Sequence, residues 1–181
     1  MTVMDSRWLE QCCVGDSLAI ERLVQTYQQD VYRLALSILD DSDDADDATQ
    51  EVFVSALRAL ESFRGNASFK TWLFSITVNV CRTRLHRQKR RGSLQQILQS
   101  LFVQNQAHPE HEAIQSESDS ALWQAIRTLD DKHRIAVILR YYHDLPIDEI
   151  AETLGVPVGT VHSRLNHARE RLRALLKEEP R

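Results

Sequence analysis

Three clusters of polar residues in this chain have the types and spacing for recognition chemistry. Arg82, Arg84, Arg87, Lys89, Arg90 and Arg91 form a basic run, and spaced cations of this kind neutralise phosphates of a nucleic acid. Asp40, Asp41, Asp43, Asp44, Asp46 and Asp47 form an acidic block, followed by Gln50 and Glu51; such a face suits arginines on a partner protein. His162, Ser163, Arg164, Asn166, His167 and Arg171 share the exposed side of one helical segment, with groups that read base edges and pair with phosphates. Catalytic signatures are absent: there is no phosphate-binding glycine loop, nucleophile elbow or dinucleotide fingerprint. Histidines are scattered without metal spacing, and Cys12, Cys13 and Cys81 match no zinc or disulfide pattern. These thiols read as buried or incidental. No metal, cofactor or enzymatic activity is expected.

The elements that must position these clusters are helical. The chain has few glycines and prolines, 5 and 4, and no segment alternates cleanly between apolar and polar residues. Leu18, Leu23, Val24, Tyr27, Val31, Leu34, Ala35 and Ile38 recur at spacings of three and four, which predicts one helix. Asp44 to Leu60 predicts a second, with Ala48, Val52, Ala56 and Leu60 on one face and carboxylates against the positive end of its dipole. A loop at Arg64–Ser68 precedes a third helix, capped by Ser68, with Trp72, Leu73, Ile76 and Val80 as its stripe. That helix runs on into the basic block.

The 181 residues allow one domain or two small ones, and hydrophobic and charged fractions of 43% and 27% are ordinary for a soluble protein. No apolar run is long enough to span a bilayer. No basic patch followed by an apolar stretch opens the chain. A cytoplasmic protein without membrane insertion is expected. The net charge of −4 does not announce nucleic-acid binding; the local blocks carry that signal. Residues 92–118 are rich in Gln and Ser, include Pro109 and contain no Lys or Arg. They read as a flexible linker with one short amphipathic piece, Leu94 to Phe102. The expected fold is therefore all-α: a domain over 1–91, the linker over 92–118, and a second helical domain over 119–181.

The second domain begins with two helices, one marked by Leu122, Ile126 and Leu129, the other by Ile135, Val137, Ile138 and Tyr141. Ile147 to Leu154 reads as a helix of about two turns, broken by Gly155-Val156-Pro157, with a long helix from Val158 carrying Val161, Leu165, Ala168, Leu172 and Leu175 on one stripe. Ala151, Gly155 and Val161 supply what a helix-turn-helix needs. The small residue lets two helices cross closely, the glycine takes a left-handed conformation, and the β-branched residue closes the corner. A third basic block, Arg164, Arg169, Arg171, Arg173 and Lys177, lies on the last helix.

In this order, the motifs resemble a bacterial RNA polymerase sigma factor of the extracytoplasmic function (ECF) group, in the sigma-70 family. The likeness rests on Asp46-Asp47-Ala48-Thr49-Gln50-Glu51-Val52-Phe53, Phe63-Arg64-Gly65 with Phe69-Lys70-Thr71-Trp72-Leu73, and Ile76-Thr77-Val78-Asn79. In the second domain it rests on Leu145-Pro146-Ile147-Asp148-Glu149-Ile150-Ala151 and Gly159-Thr160-Val161-His162-Ser163-Arg164-Leu165. It covers roughly residues 17–91 and 118–178.

The resemblance implies that the first domain is sigma domain two, which binds core polymerase and the −10 element, and the second is sigma domain four, which binds the −35 element. It places Asp47, Gln50 and Glu51 against the clamp helices of the polymerase β′ subunit, with a further contact to the β subunit. It places Arg64, Asn66, Ser68 and Lys70 at a −10 reading surface, Asn79 and Arg82 on bases or the strand edge, and Arg84, Arg87, Lys89, Arg90 and Arg91 on phosphates. Phe69 and Trp72 read as core aromatics in preference to base-stacking platforms. Thr160, His162, Ser163, Arg164, Asn166, His167 and Arg171 form the −35 set. His162 and His167 stand where arginine is frequent in the family, so the contact there is weaker or pH-sensitive. The resemblance further implies an anti-sigma partner that masks the core-binding faces.

Other readings compete. Asp40, Ser42, Asp44, Asp46 and Glu51 fall at positions 1, 3, 5, 7 and 12 of a calcium loop, but Ala45 holds the position that needs glycine. A metal-dependent nuclease would need the aspartates to converge, which residues spread around one helix cannot do. The main alternative is a free-standing helix-turn-helix regulator; the acidic and basic helices together favour the sigma factor.

Overall fold

The computed structural model describes the backbone of residues 6–101 and 117–178, and side chains within 8–90 and 121–176. Its elements are α1 (Ser6–Cys13), α2 (Ser17–Leu39), α3 (Ser42–Ala59) with a 3-10 turn at Leu60–Ser62, α4 (Phe69–Leu101), α5 (Glu117–Arg127), α6 (Asp131–Val137), a π turn at Ile138–Tyr142, α7 (Ile147–Leu154) and α8 (Val158–Glu178). The described residues contain no strand.

Local chemistry sets the helix ends. Asp16 caps α2, its carboxylate accepting from the N–H groups of Leu18 at 2.9 Å and Ala19 at 3.1 Å. Asp40 ends α2 in the left-handed region at φ +60°, a conformation aspartate tolerates better than most residues. Asp41 then caps α3, accepting from the Asp44 N–H at 2.8 Å. Two members of the acidic block are thus spent on turning the chain, one of them Asp40, the first ligand position of the calcium-loop reading. Ser68 accepts the Thr71 N–H at 3.0 Å at the entry to α4, as its position predicts.

In the first domain α2, α3 and α4 pack on one another. Leu23, Val31, Leu34 and Ile38 of α2 meet Ala45, Ala48, Val52 and Ala56 of α3, and Leu73, Phe74, Val78 and Cys81 of α4 close the core. The alanine stripe of α3 permits close helix approach. Trp8 of α1 anchors the N-terminal helix, its indole N–H donating to the Ala19 carbonyl at 3.0 Å.

The third helix runs further than its sequence suggests. It continues without a break through Gly92 to Leu101, into the segment read as linker. One glycine costs a helix only about 1 kcal/mol, and no proline intervenes before Pro109. The side chains of Leu94–Phe102 and the chain over 102–116 lie outside the described residues.

The second domain packs α5, α6 and the π turn around the α7–α8 pair. The helix-turn-helix forms where the sequence places it: Gly155 takes φ +62°, Ala151 is buried, and Val161 is fully buried. The two domains do not lie apart. Helix α7 packs on α4, the π turn reaches α2, and the buried apolar cluster continues from one domain into the other.

Candidate nucleic-acid interface

The loop between the 3-10 turn and α4 shapes an open groove of about 260 Å³, bordered by Phe63, Arg64, Asn66, Thr71, Trp72 and Ser75 among others. Gly65 turns the chain there at φ +70°, a conformation that favours glycine. An aromatic cluster forms its base. Phe63 packs edge-on to Phe69 at 5.4 Å and tilted on Trp72 at 5.3 Å, and Phe69 also meets Tyr27 at 5.2 Å. Phe69 is buried, whereas Trp72 is half-buried and borders the groove. Arg64 and Asn66 are exposed beside it. Ser68 is exposed too, but its hydroxyl is engaged with the Thr71 N–H and, at 2.7 Å, with the Thr71 hydroxyl. Lys70 points elsewhere: it pairs with Asp30 at 2.7 Å and lies over the Phe74 ring.

The basic run of α4 divides among three surroundings. Arg84 faces α3, donating through Nε and Nη2 to one oxygen of Glu51, at 3.1 and 2.9 Å, with Asp44 at 3.4 Å and Asp47 at 4.0 Å. Gln88, one turn on, donates to Asp44 at 2.6 Å. Arg82 and Lys89 face the second domain, where Lys89 pairs with Asp131 at 2.6 Å. Burial, and after it the charge of Arg164, lowers the Arg82 pKa, with Asp131 opposing. Asn79, Arg87 and Arg90 are exposed. The Arg91 side chain lies outside the described residues.

The acidic face of α3 keeps Asp47 and Gln50 exposed, while Glu51 is shared with Arg84. Beneath it, Cys81 is a free, buried thiol whose pKa is pushed up to about 12, chiefly by burial. Cys12 is buried and Cys13 exposed, both free.

On α8, His162, Ser163, Asn166, His167 and Arg171 are exposed. Thr160 sits half-buried in the first turn, its N–H on the Pro157 carbonyl at 2.9 Å. Asn166 accepts from Arg169 at 2.5 Å, and the His167 ring stands 5.9 Å from that of His133. Arg164 departs from its neighbours. It is half-buried, and its Nη1 is buried with no hydrogen-bond partner.

Sequence reasoning missed the residues that join the two domains. Thr71 donates to Glu149 of α7 at 3.2 Å, and Glu152 borders the groove beside α4. Arg127 pairs with Asp40 at 2.7 Å. His143 lies 3.4 Å from the Ser37 hydroxyl and edge-on to Phe74 at 5.6 Å. Burial lowers its pKa to about 4, with Lys70 and Arg33 adding to the shift and Asp30 and Asp144 opposing it. The acidic first turn of α7 was the one local signal, but nothing in it names its partner. Among the described residues no group of three or more His, Cys, Asp or Glu is placed to hold a metal ion. None of the described helices is long and apolar enough to cross a membrane.

Comparison with known proteins agrees with this architecture. Residues 23–91 match the Sigma-70 region 2 family, and residues 119–172 match the Sigma-70, region 4 family. The chain is 31% identical over 186 residues to the ECF RNA polymerase sigma factor SigW of Bacillus subtilis, covering 98% of this chain and 100% of that one. Its fold is similar to that of CnrH in complex with the cytosolic domain of CnrY, with a TM-score of 0.67 at 25% identity over 96% of this chain and 97% of that one. It is also similar to the sigma factor RpoE in complex with the anti-sigma factor NepR from Bartonella quintana, with a TM-score of 0.62 at 26% identity over 88% and 98%.

Proposed function

Because the chain belongs to the ECF group of the sigma-70 family, we propose a division of its promoter-directing work between named surfaces. The protein is an alternative sigma factor: it binds core RNA polymerase and directs it to promoters. The family matches favour this over a free-standing helix-turn-helix regulator, since region 2 accounts for the first domain.

In our reading, residues 1–91 bind core polymerase and the −10 element, and residues 119–181 bind the −35 element. The groove beside Gly65 carries this assignment. An aromatic base, flanked by Arg64 and Asn66, suits one unstacked base held by stacking and read by side-chain donors and acceptors. Melting then needs no fuel: open strand is favoured by as much as it binds better than duplex. Arg87 and Arg90 hold phosphates of that strand. Asp47, Gln50 and Glu51 meet arginines on the β′ clamp helices, and Arg84 orients Glu51 for that contact. His162, Ser163 and Asn166 reach base edges in the −35 major groove, with Arg171 on phosphate. An anti-sigma factor is a natural partner, given that a relative of this fold is bound to one.

The test is reconstituted transcription with bacterial core polymerase on a pool of promoter fragments. Start sites that depend on the protein support the reading. DNA binding without any core binding overturns it.

A further inference from the structure

We propose that His133 of α6, a residue outside the −35 set, is a positioning residue for it: His133 holds the ring of His167 in the direction that its contact with DNA requires. This rests on the −35 assignment above. Asp130 caps α6, its carboxylate accepting the His133 N–H at 3.1 Å, and the same oxygen lies 2.6 Å from Nδ1 of the His133 ring. An ionised carboxylate only accepts, so Nδ1 carries the proton and donates it. One side chain thereby fixes both the start of α6 and the orientation of the ring. The His133 side chain is only 20% exposed, whereas that of Asp130 is 57% exposed. His133 is therefore set back from the surface and suited to supporting another residue.

His167 has the opposite character. It is exposed on the reading side of α8, and an exposed side chain samples several rotamers. Its tilted contact with His133, with ring centroids 5.9 Å apart and planes at 58°, is the only ring contact or hydrogen bond that holds the His167 ring among the described residues. Beside the pair lies a cavity of about 240 Å³, bordered by Leu129, Asp130 and His133 on one side and by His167, Glu170 and Arg171 of α8 on the other. Without the His133 ring, His167 has that space to turn into, away from the duplex. A side chain that must be ordered as DNA arrives weakens binding by the entropy it loses, and one already held does not. Holding one such side chain is worth about two- to tenfold in affinity.

The test is a double-mutant cycle. Wild type, His133→Ala, His167→Ala and the double variant are each assembled with bacterial core polymerase and titrated with a labelled promoter fragment that the wild type transcribes. His133→Ala should weaken binding about two- to tenfold. The double variant should bind no more weakly than His167→Ala, because His133 acts through the ring already removed. His133→Phe, which keeps a ring against His167, should recover most of the loss. Additive losses overturn the inference, as does an unchanged affinity in His133→Ala. If His133→Ala loses helicity, Asp130→Ser takes its place in the cycle, since serine still caps α6 but removes the carboxylate from the ring. In the free full chain, isotope-labelled at histidine, cross-relaxation between the ring protons of His133 and His167 reads the contact without DNA, and its absence also overturns the inference. A wild-type holoenzyme that transcribes no fragment overturns the sigma assignment, and the DNA role of His133 with it; the free-chain measurement tells that failure from a missing ring contact.

Discussion

Arg82 of α4 and Arg164 of α8 lie near enough for the charge of Arg164 to add to burial in lowering the Arg82 pKa, with Asp131 opposing. The family resemblance assigns one to the −10 set and the other to the −35 set. In the folded chain both are half-buried.

The exposed part of the basic run is separable from the rest. Replacing Arg87 and Arg90 by alanine should weaken promoter binding and flatten its dependence on salt, by roughly 0.7 to 0.9 in logarithmic slope for each phosphate no longer neutralised. Holoenzyme titrations at several salt concentrations measure it. An unchanged slope removes these residues from the DNA-binding surface.

Arg84 should behave differently, because its guanidinium is held by Glu51 and Asp44. Arg84→Ala is expected to reduce affinity for core polymerase severalfold, because Glu51 is no longer positioned, while the salt slope for DNA stays as in wild type. A shallower DNA slope with intact core binding would return Arg84 to the phosphate-binding set.

His143 makes stability depend on acidity. It is neutral in the folded chain down to pH about 4, whereas an unfolded chain protonates it near its ordinary value of 6.5. Between these values the unfolded state binds the extra proton, so the His143 contribution lowers stability as pH falls from about 6.5 toward 4. Denaturant midpoints at pH 7 and pH 5 should differ, and His143→Gln should narrow the difference. An equal difference in the variant would place the titration elsewhere.

Gly155 holds the turn at φ +62°, with open space around the position of a Cβ. Gly155→Ala should therefore cost about 1 to 2 kcal/mol through backbone strain alone, visible as a lower urea midpoint. A neutral result would mean that the turn relaxes to another conformation.

Features governed by neighbouring residues were legible in the sequence. Ile147–Leu154 reads as a helix because its apolar positions recur at helical spacing. It ends at Gly155, where glycine takes the left-handed turn at little cost. Ser68 and the aspartates around α3 mark helix starts by the same local chemistry. The basic run shows the limit of such reading. Each step along a helix turns roughly 100°, so Arg82, Arg84, Arg87 and Lys89 point toward different bodies although they read as one block. Only the tertiary structure decided that Arg84 meets α3, that Arg82 and Lys89 meet the second domain, and that Arg87 stays exposed. The same holds for Glu149, Glu152 and His143, whose partners lie far away in the chain. Charge type and helical spacing are local properties and can be read in order; what a side chain faces depends on how separate helices pack.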